Sequence, residues 1–187
     1  MQTAVVGLVA ALAVIFGVSA FGKARSRAAL RGFTTSLRGW RVVPVPLVGA
    51  VAVAVAGLEI VVVAGALAAL ATSAAGSAWR PFAVGTLGLS AILLAGLSGG
   101  IALALRRGPG ATCACFGATE RPLNAGHLWR DVVLVLACAV GVALAVGAGS
   151  HATDPAGTIV ATFAGAVVGL LVARLDDLID LFSYRTN

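Results

Sequence analysis

Five long apolar runs dominate the chain, and short stretches that contain most of the charged and turn-forming residues separate them. Each run has about 18 residues or more, which is the length that a helix needs to cross the hydrocarbon core of a bilayer. None shows the alternation of a transmembrane barrel strand. The sequence therefore predicts an all-α integral membrane protein, a bundle of about five transmembrane helices. The predicted spans are 3–22, 45–71, 82–105, 128–149 and 156–173.

The first run could be mistaken for a secretory signal peptide. However, no basic residue precedes it, and several follow it, which is the reverse of the order in a signal peptide. We expect it to be an uncleaved helix. The composition, 60% hydrophobic and 11% charged with a mean hydropathy of +1.04, leaves too little polar surface for a separate soluble domain. A single transmembrane domain over 1–187 is predicted.

The basic residues indicate an orientation. With five spans, all of them except Arg80 fall on one side of the membrane, and Lys and Arg concentrate in cytoplasmic loops. The predicted orientation has the N-terminus outside and the third connection and the C-terminal tail, 174–187, in the cytoplasm. The residues on that side are Lys23, Arg25, Arg27, Arg31, Arg38, Arg41, Arg106, Arg107, Arg121, Arg130, Arg174 and Arg185. These basic residues at the cytoplasmic surface of the membrane, which we call the basic rim, explain the net charge of +6. No motif that would indicate a nucleic-acid partner accompanies them.

Cys113 and Cys115 lie one residue apart in the third connection, with arginines on both sides. A disulfide between them would close a very small, strained loop that is easily reduced, which suits exchange chemistry. Nearby arginines favour the reactive thiolate. Two alternatives stay open: the cysteines are incidental small residues, or they bind a soft metal together with His127, although three ligands fall short of a closed structural zinc site. We assign no metal.

Two further residues stand out inside the spans. Cys138 lies about ten residues into the fourth span, roughly 15 Å from the loop, where a thiol behaves as a small hydrophobe. Glu59 lies near the middle of the second span, where a carboxylate is expensive and is presumed to serve a function. It could be protonated, paired with a basic group of another helix, part of a proton path, or a purely structural hydrogen-bond partner. The spacings Gly96–Gly100 and Gly165–Gly169 allow close helix packing.

Several short segments, in order and at similar spacing, resemble a known family. They are "SAFGK" at the end of the first span, "VVPVP" before the second, "GLE" within it, and "CACFG" followed by "RPLNAGHLWRD" before the fourth. The chain resembles the methylamine-utilisation MauE proteins of the DoxX-like superfamily. Its bias towards Ala and Arg suggests a GC-rich bacterium, as in actinobacteria, where such proteins are common, and hence a bacterial plasma membrane. The resemblance implies a four-helix DoxX-like core plus one helix, and a redox-associated membrane protein. It also implies that Cys113 and Cys115 form the redox pair and that Glu59 is the intramembrane acid.

Two hypotheses follow. In the first, the protein is a membrane thiol–disulfide redox protein that exchanges electrons with a thioredoxin-like partner during maturation of another protein, with a quinone as a candidate cofactor. In the second, it is a non-catalytic membrane subunit or a small soft-metal transporter. Either form could belong to a larger membrane complex or a homo-oligomer. Replacement of His127 separates the two hypotheses, because only a metal site should need it.

Overall fold

The computed structural model describes residues 1–73, 79–107, 125–147 and 154–175, together with the backbone of residues 112–113 and 121–122. Five helices in these ranges are long and apolar enough to cross a membrane, which confirms the predicted fold class. They are α1 (Gln2–Ala24), α3 (Val48–Ala71), α4 (Trp79–Arg106), α5 (Ala125–Gly147) and α6 (Pro155–Ala173). A single 3₁₀ turn, Val45–Leu47, leads into α3.

A shorter helix, α2 (Arg27–Gly39), occupies a segment that the sequence analysis treated as a basic connection. Ser26 caps it, since its hydroxyl accepts a hydrogen bond from the Ala29 backbone N–H at 3.1 Å. Phe33, Leu37 and Trp40 recur at helical spacing, and all three are buried against α3 and α4. α2 is therefore amphipathic, with its arginines outward, and it lies at the end of the bundle where α1 ends.

α1, α3, α4 and α5 enclose the apolar core. α1 packs on α3 and α5, while α4 packs between α3 and α5. α1 and α3 run antiparallel: the Gln2 side-chain amide at the start of α1 donates a hydrogen bond to the Ser73 carbonyl just beyond the end of α3. The core includes Val9, Leu12, Phe16, Val62, Ala66, Leu87, Leu94 and Cys138. Cys138 is fully buried there as a free thiol.

α6 packs on the outer side of α1, which matches the predicted arrangement of a four-helix core plus one helix. Its contact is made by Gly165 and Gly169, which lie directly against the α1 backbone at Gly7 and Ala11. A Cβ atom added to Gly169 would lie 2.5 Å from the Ala11 carbonyl oxygen, so the two helices approach backbone to backbone. The remaining faces of α6 expose apolar side chains, as expected for a helix surrounded by lipid.

The connection between α4 and α5 contains two short strands, β1 (Thr112–Cys113) and β2 (Arg121–Pro122). They pair antiparallel, with Cys113 opposite Arg121. β1 lies against α2. This connection is therefore found at the α2 end of the bundle, where α1 and α4 end and α5 begins.

Candidate functional site

Glu59, the predicted intramembrane acid, lies near the middle of α3 and is paired with a cation of another helix. The Lys23 ammonium nitrogen lies 2.8 Å from Glu59 Oε1 and 3.0 Å from Oε2. Both side chains are about 2% exposed, so the ion pair is enclosed by protein. Of the states that the sequence allowed for Glu59, pairing with a basic group of another helix is the one observed.

The pair is completed by groups from α1 and α2. The Ser19 hydroxyl donates to Glu59 Oε1 at 2.9 Å and accepts from Lys23 Nζ at 2.5 Å. The Phe33 ring of α2 lies over the same ammonium group, 4.7 Å from the ring centroid, in cation–π geometry. Lys23 reaches this position because helical side chains lean towards the helix N-terminus, so a residue in the last turn of α1 points back into the bundle.

A second ion pair lies near the start of α5. Arg130 donates through Nε and Nη2 to Asp131 Oδ1, each at 3.1 Å, and both side chains are less than a tenth exposed. Arg130 is one of the basic residues assigned to the cytoplasmic side, and its side chain is turned inward, where it pairs with adjacent Asp131. His127, one turn earlier on α5, is also buried, at 5% exposure.

Both ion pairs line one small cavity of about 30 Å³, which we call the polar cavity. Its polar lining is Ser19, Lys23, Glu59, Arg130 and Asp131. Apolar side chains close the rest: Ile15, Phe16, Phe33, Leu94, Leu97 and Leu134. The two cations and two carboxylates balance, and the volume suits an ordered water rather than a larger ligand, since ligand pockets usually measure several hundred Å³.

Sequence reasoning found Glu59 but missed Lys23 and Asp131 as members of this site. One signal was present: Lys23 is the single lysine of a chain that otherwise uses arginine, and it follows Ser19 by one helical turn. The flexible, compact ammonium of lysine suits a buried pair reached from a helix end. Nothing in the order of residues alone showed that α1 would bring Lys23 to the level of Glu59.

The predicted thiol pair is only partly within the described residues. The backbone of Cys113 belongs to β1, whereas its side chain and all of Cys115 lie outside the described part. Their roles stay predictions, as does a metal set formed with His127. Within the ranges that the structure describes, no group of three His, Cys, Asp or Glu residues is placed to hold a metal ion.

Comparison with known proteins identifies the family. The family model described as "Methylamine utilisation protein MauE" matches residues 1–144, a stretch that contains Lys23, Glu59, Cys113 and Cys115 and leaves α6 outside. A search of curated proteins and a search of solved structures each gave no significant match. The match covers most of the chain, and the five spanning helices agree with it. This multi-pass membrane protein belongs to the MauE family.

Proposed function

We propose that the protein is a membrane thiol–disulfide redox protein in which Cys113 and Cys115 exchange electrons with a thioredoxin-like partner. The observation that carries the proposal is the position of β1, which holds the Cys113 backbone against α2 at the surface end of the bundle. That end of the bundle is where a soluble partner would meet the protein, whereas Cys138 is fully buried in the core. The family's name adds methylamine utilisation as the setting, with another protein of that process as the substrate of maturation.

The proposed exchange needs no cofactor. A thiolate of the pair attacks the partner's disulfide, forms a mixed disulfide and releases one partner thiolate. The second cysteine of the pair then attacks the mixed disulfide and releases the other partner thiolate. The pair ends as a disulfide and the partner as a dithiol, so two electrons have moved to the partner. The reverse sequence of the same steps moves them back.

Glu59 takes a positioning role in this proposal. Glu59 of α3 is buried in the bundle, where it binds Lys23 of α1. The Phe33 ring of α2 packs over the same lysine. The ion pair thereby joins the three elements beneath β1. The polar cavity beside Glu59 is on the scale of a water molecule, so it does not accommodate a quinone ring. A proton-exchange role, which the sequence also allowed, would instead leave a stable Lys23→Gln/Glu59→Gln variant unable to trap the partner.

Trapping of the partner tests the redox proposal. Cys113→Ser and Cys115→Ser should each leave one thiol that captures a thioredoxin-like protein as a stable mixed disulfide, because the resolving cysteine is gone. The complex should run as a larger band on a non-reducing gel and disappear with reductant. The double variant should capture nothing, and Cys138→Ala should behave as the unmodified protein. If neither single variant captures a partner, and the native pair stays reduced under oxidising conditions, the proposal is wrong.

His127 separates this proposal from soft-metal transport. A thiol exchange reaction does not use the imidazole, so His127→Gln should still capture the partner in the single-cysteine background. A metal site formed by the two thiolates and the imidazole should instead bind Zn²⁺ or Cu⁺ more weakly in this variant. Tight metal binding that His127→Gln weakens, without any partner trapping, would favour the transporter.

A further inference from the structure

A second, much larger depression lies on the outside of the bundle between α3 and α4. Leu37 of α2 and Trp40 just beyond it close the depression at the α2 end of the bundle. It measures about 520 Å³ and is lined almost wholly by apolar side chains. Leu58, Ile92 and Leu103 along its walls are well exposed, so it opens sideways towards the surrounding lipid. We call it the apolar groove. Its volume is within the range of known ligand sites.

The groove exists because one stretch of α4 has almost no side chains. Ala95, Gly96 and Gly99 line its floor, and a Cβ atom added to either glycine would meet nothing within 4 Å. Trp40 forms the end wall, where its ring packs against Gly100. The lining on α4 runs from Leu89 to Leu103, a rise of roughly 20 Å. That is a little more than one leaflet of the hydrocarbon core, which is roughly 15 Å deep.

The rim of the groove at the α2 end is basic. Arg38 follows Leu37 of the lining, and Arg41 lies between the lining residues Trp40 and Val42. Arg107, one turn beyond Leu103, donates a hydrogen bond from its guanidinium group to the Arg41 carbonyl. The Arg41 backbone has a φ of 54°, a conformation that side-chain-bearing residues seldom adopt. All three arginines are exposed, and each lies within four residues of a residue that lines the α2 end of the groove, so this end of the groove is basic.

The geometry points to a binding site for one anionic phospholipid of the leaflet on the α2 side. An acyl chain would lie along the apolar groove, and the headgroup phosphate would sit among Arg38, Arg41 and Arg107. Basic pockets between transmembrane helices are suited to anionic headgroups. A neutral isoprenoid quinone could fill the groove but would gain nothing from the three cations. The charge of the rim therefore favours the phospholipid, and this inference does not depend on the redox proposal.

Quenching of Trp40 fluorescence by brominated lipids tests the site. Trp79→Phe/Trp129→Phe leaves Trp40 as the single tryptophan, in a wall of the groove. The protein is reconstituted in phosphatidylcholine vesicles that contain either brominated phosphatidylglycerol or, as the comparison, brominated phosphatidylcholine. Brominated phosphatidylglycerol should quench Trp40 more strongly at the same mole fraction. Arg41→Gln should reduce its relative affinity about fivefold, since a basic residue near the surface contributes roughly that factor.

Matched variants complete the experiment. Arg31→Gln removes the same charge from α2 six residues before Leu37, the first residue of the lining, and should keep the preference for phosphatidylglycerol. Gly99→Leu should fill the groove and lower quenching by both lipids, whereas Gly85→Leu, at another open position of α4 outside the groove, should not. Equal quenching by the two lipids, or quenching unchanged by Gly99→Leu, would overturn the inference. Relief of quenching by a long-chain quinone but not by unbrominated phosphatidylglycerol would also overturn it and give the groove to the quinone.

Discussion

Lys23 and Glu59 support each other at the scale of single residues, because each places a charge inside the bundle. Moving an ion out of water carries a large penalty, which a partner charge and further hydrogen bonds must offset. Glu59 Oε1 accepts from both Lys23 and Ser19, so the carboxylate is well satisfied. The removal of one partner is therefore more damaging than the removal of both.

Glu59→Gln should lower the free energy of unfolding by about 3 kcal/mol, the lower end of the range for breaking a buried pair. The lower end applies because Lys23, in the last turn of α1, can partly turn towards the rim. Lys23→Gln/Glu59→Gln should recover much of the loss, and it should also recover partner trapping in the Cys115→Ser background if Glu59 positions the helices. Heat denaturation in detergent and the trapping gel measure the two effects. A double variant that is stable but traps nothing would instead assign Glu59 to proton exchange.

The residues of the polar cavity differ in how far the sequence alone predicted their positions. Glu59 was identified from sequence because a carboxylate in an apolar run has no ordinary explanation. Its partner was not, since the register of α1 against α3 depends on the packing of Val9, Leu12, Val62 and their neighbours. The burial of the Arg130 side chain was not predicted for a related reason: a basic residue near a helix end is usually solvated, whereas this one pairs with Asp131 inside the bundle.

At the scale of elements, α2 and α6 show two ways in which a helix joins this bundle. α2 is held by the buried side chains of Phe33, Leu37 and Trp40, a pattern that was visible in the sequence and obscured by the arginines between them. α6 packs on α1 through Gly165 and Gly169, which have no side chains and so let the two helix backbones come into contact. Its spacing was recognised from sequence, but the partner, the backbone of α1 at Gly7 and Ala11, needed the structure.

Gly165→Leu should push α6 away from α1, because the new side chain would meet the Gly7 backbone, which cannot move aside. Overpacking of this kind typically costs about 1–3 kcal/mol. Heat denaturation in detergent should show a lower midpoint for this variant. Ala164→Leu adds the same volume at the neighbouring, exposed position of α6 and should leave the midpoint unchanged. Equal midpoints for both variants would contradict the close backbone contact.

At the scale of the whole molecule, the five helices were predictable because the bilayer imposes length and apolarity on every span. The antiparallel bundle then gathers the basic connections at one end, with α2 and β1, and leaves Arg80 at the other. The polar cavity was not predictable, because its walls come from five helices, α1 to α5, that span residues 15 to 134 of the sequence. The two cysteines belong to a connection with no such constraint from the bilayer.

The gathered charge predicts that the α2 end is cytoplasmic. A membrane-impermeant thiol reagent added to intact cells should therefore leave the reduced Cys113–Cys115 pair unlabelled, and inside-out membrane vesicles should label it promptly. Cys138 should stay unlabelled in both, since it is fully buried. Prompt labelling of intact cells that is lost in Cys113→Ser/Cys115→Ser would reverse the orientation.

The order of the ion-pair residues along the chain also has a consequence for how the protein enters the membrane. Lys23 is synthesised 36 residues before Glu59 and belongs to a helix that precedes α3 in the chain. Before α3 is inserted, the Lys23 ammonium group can stay at the bilayer surface, because a side chain in the last turn of α1 can reach the headgroups. Glu59 lies in the middle of α3 and cannot reach the headgroups. A charged residue at that position makes the free energy of membrane insertion less favourable by about 3 kcal/mol. We therefore expect Lys23 to be available as a partner at the membrane when the segment that contains Glu59 is inserted.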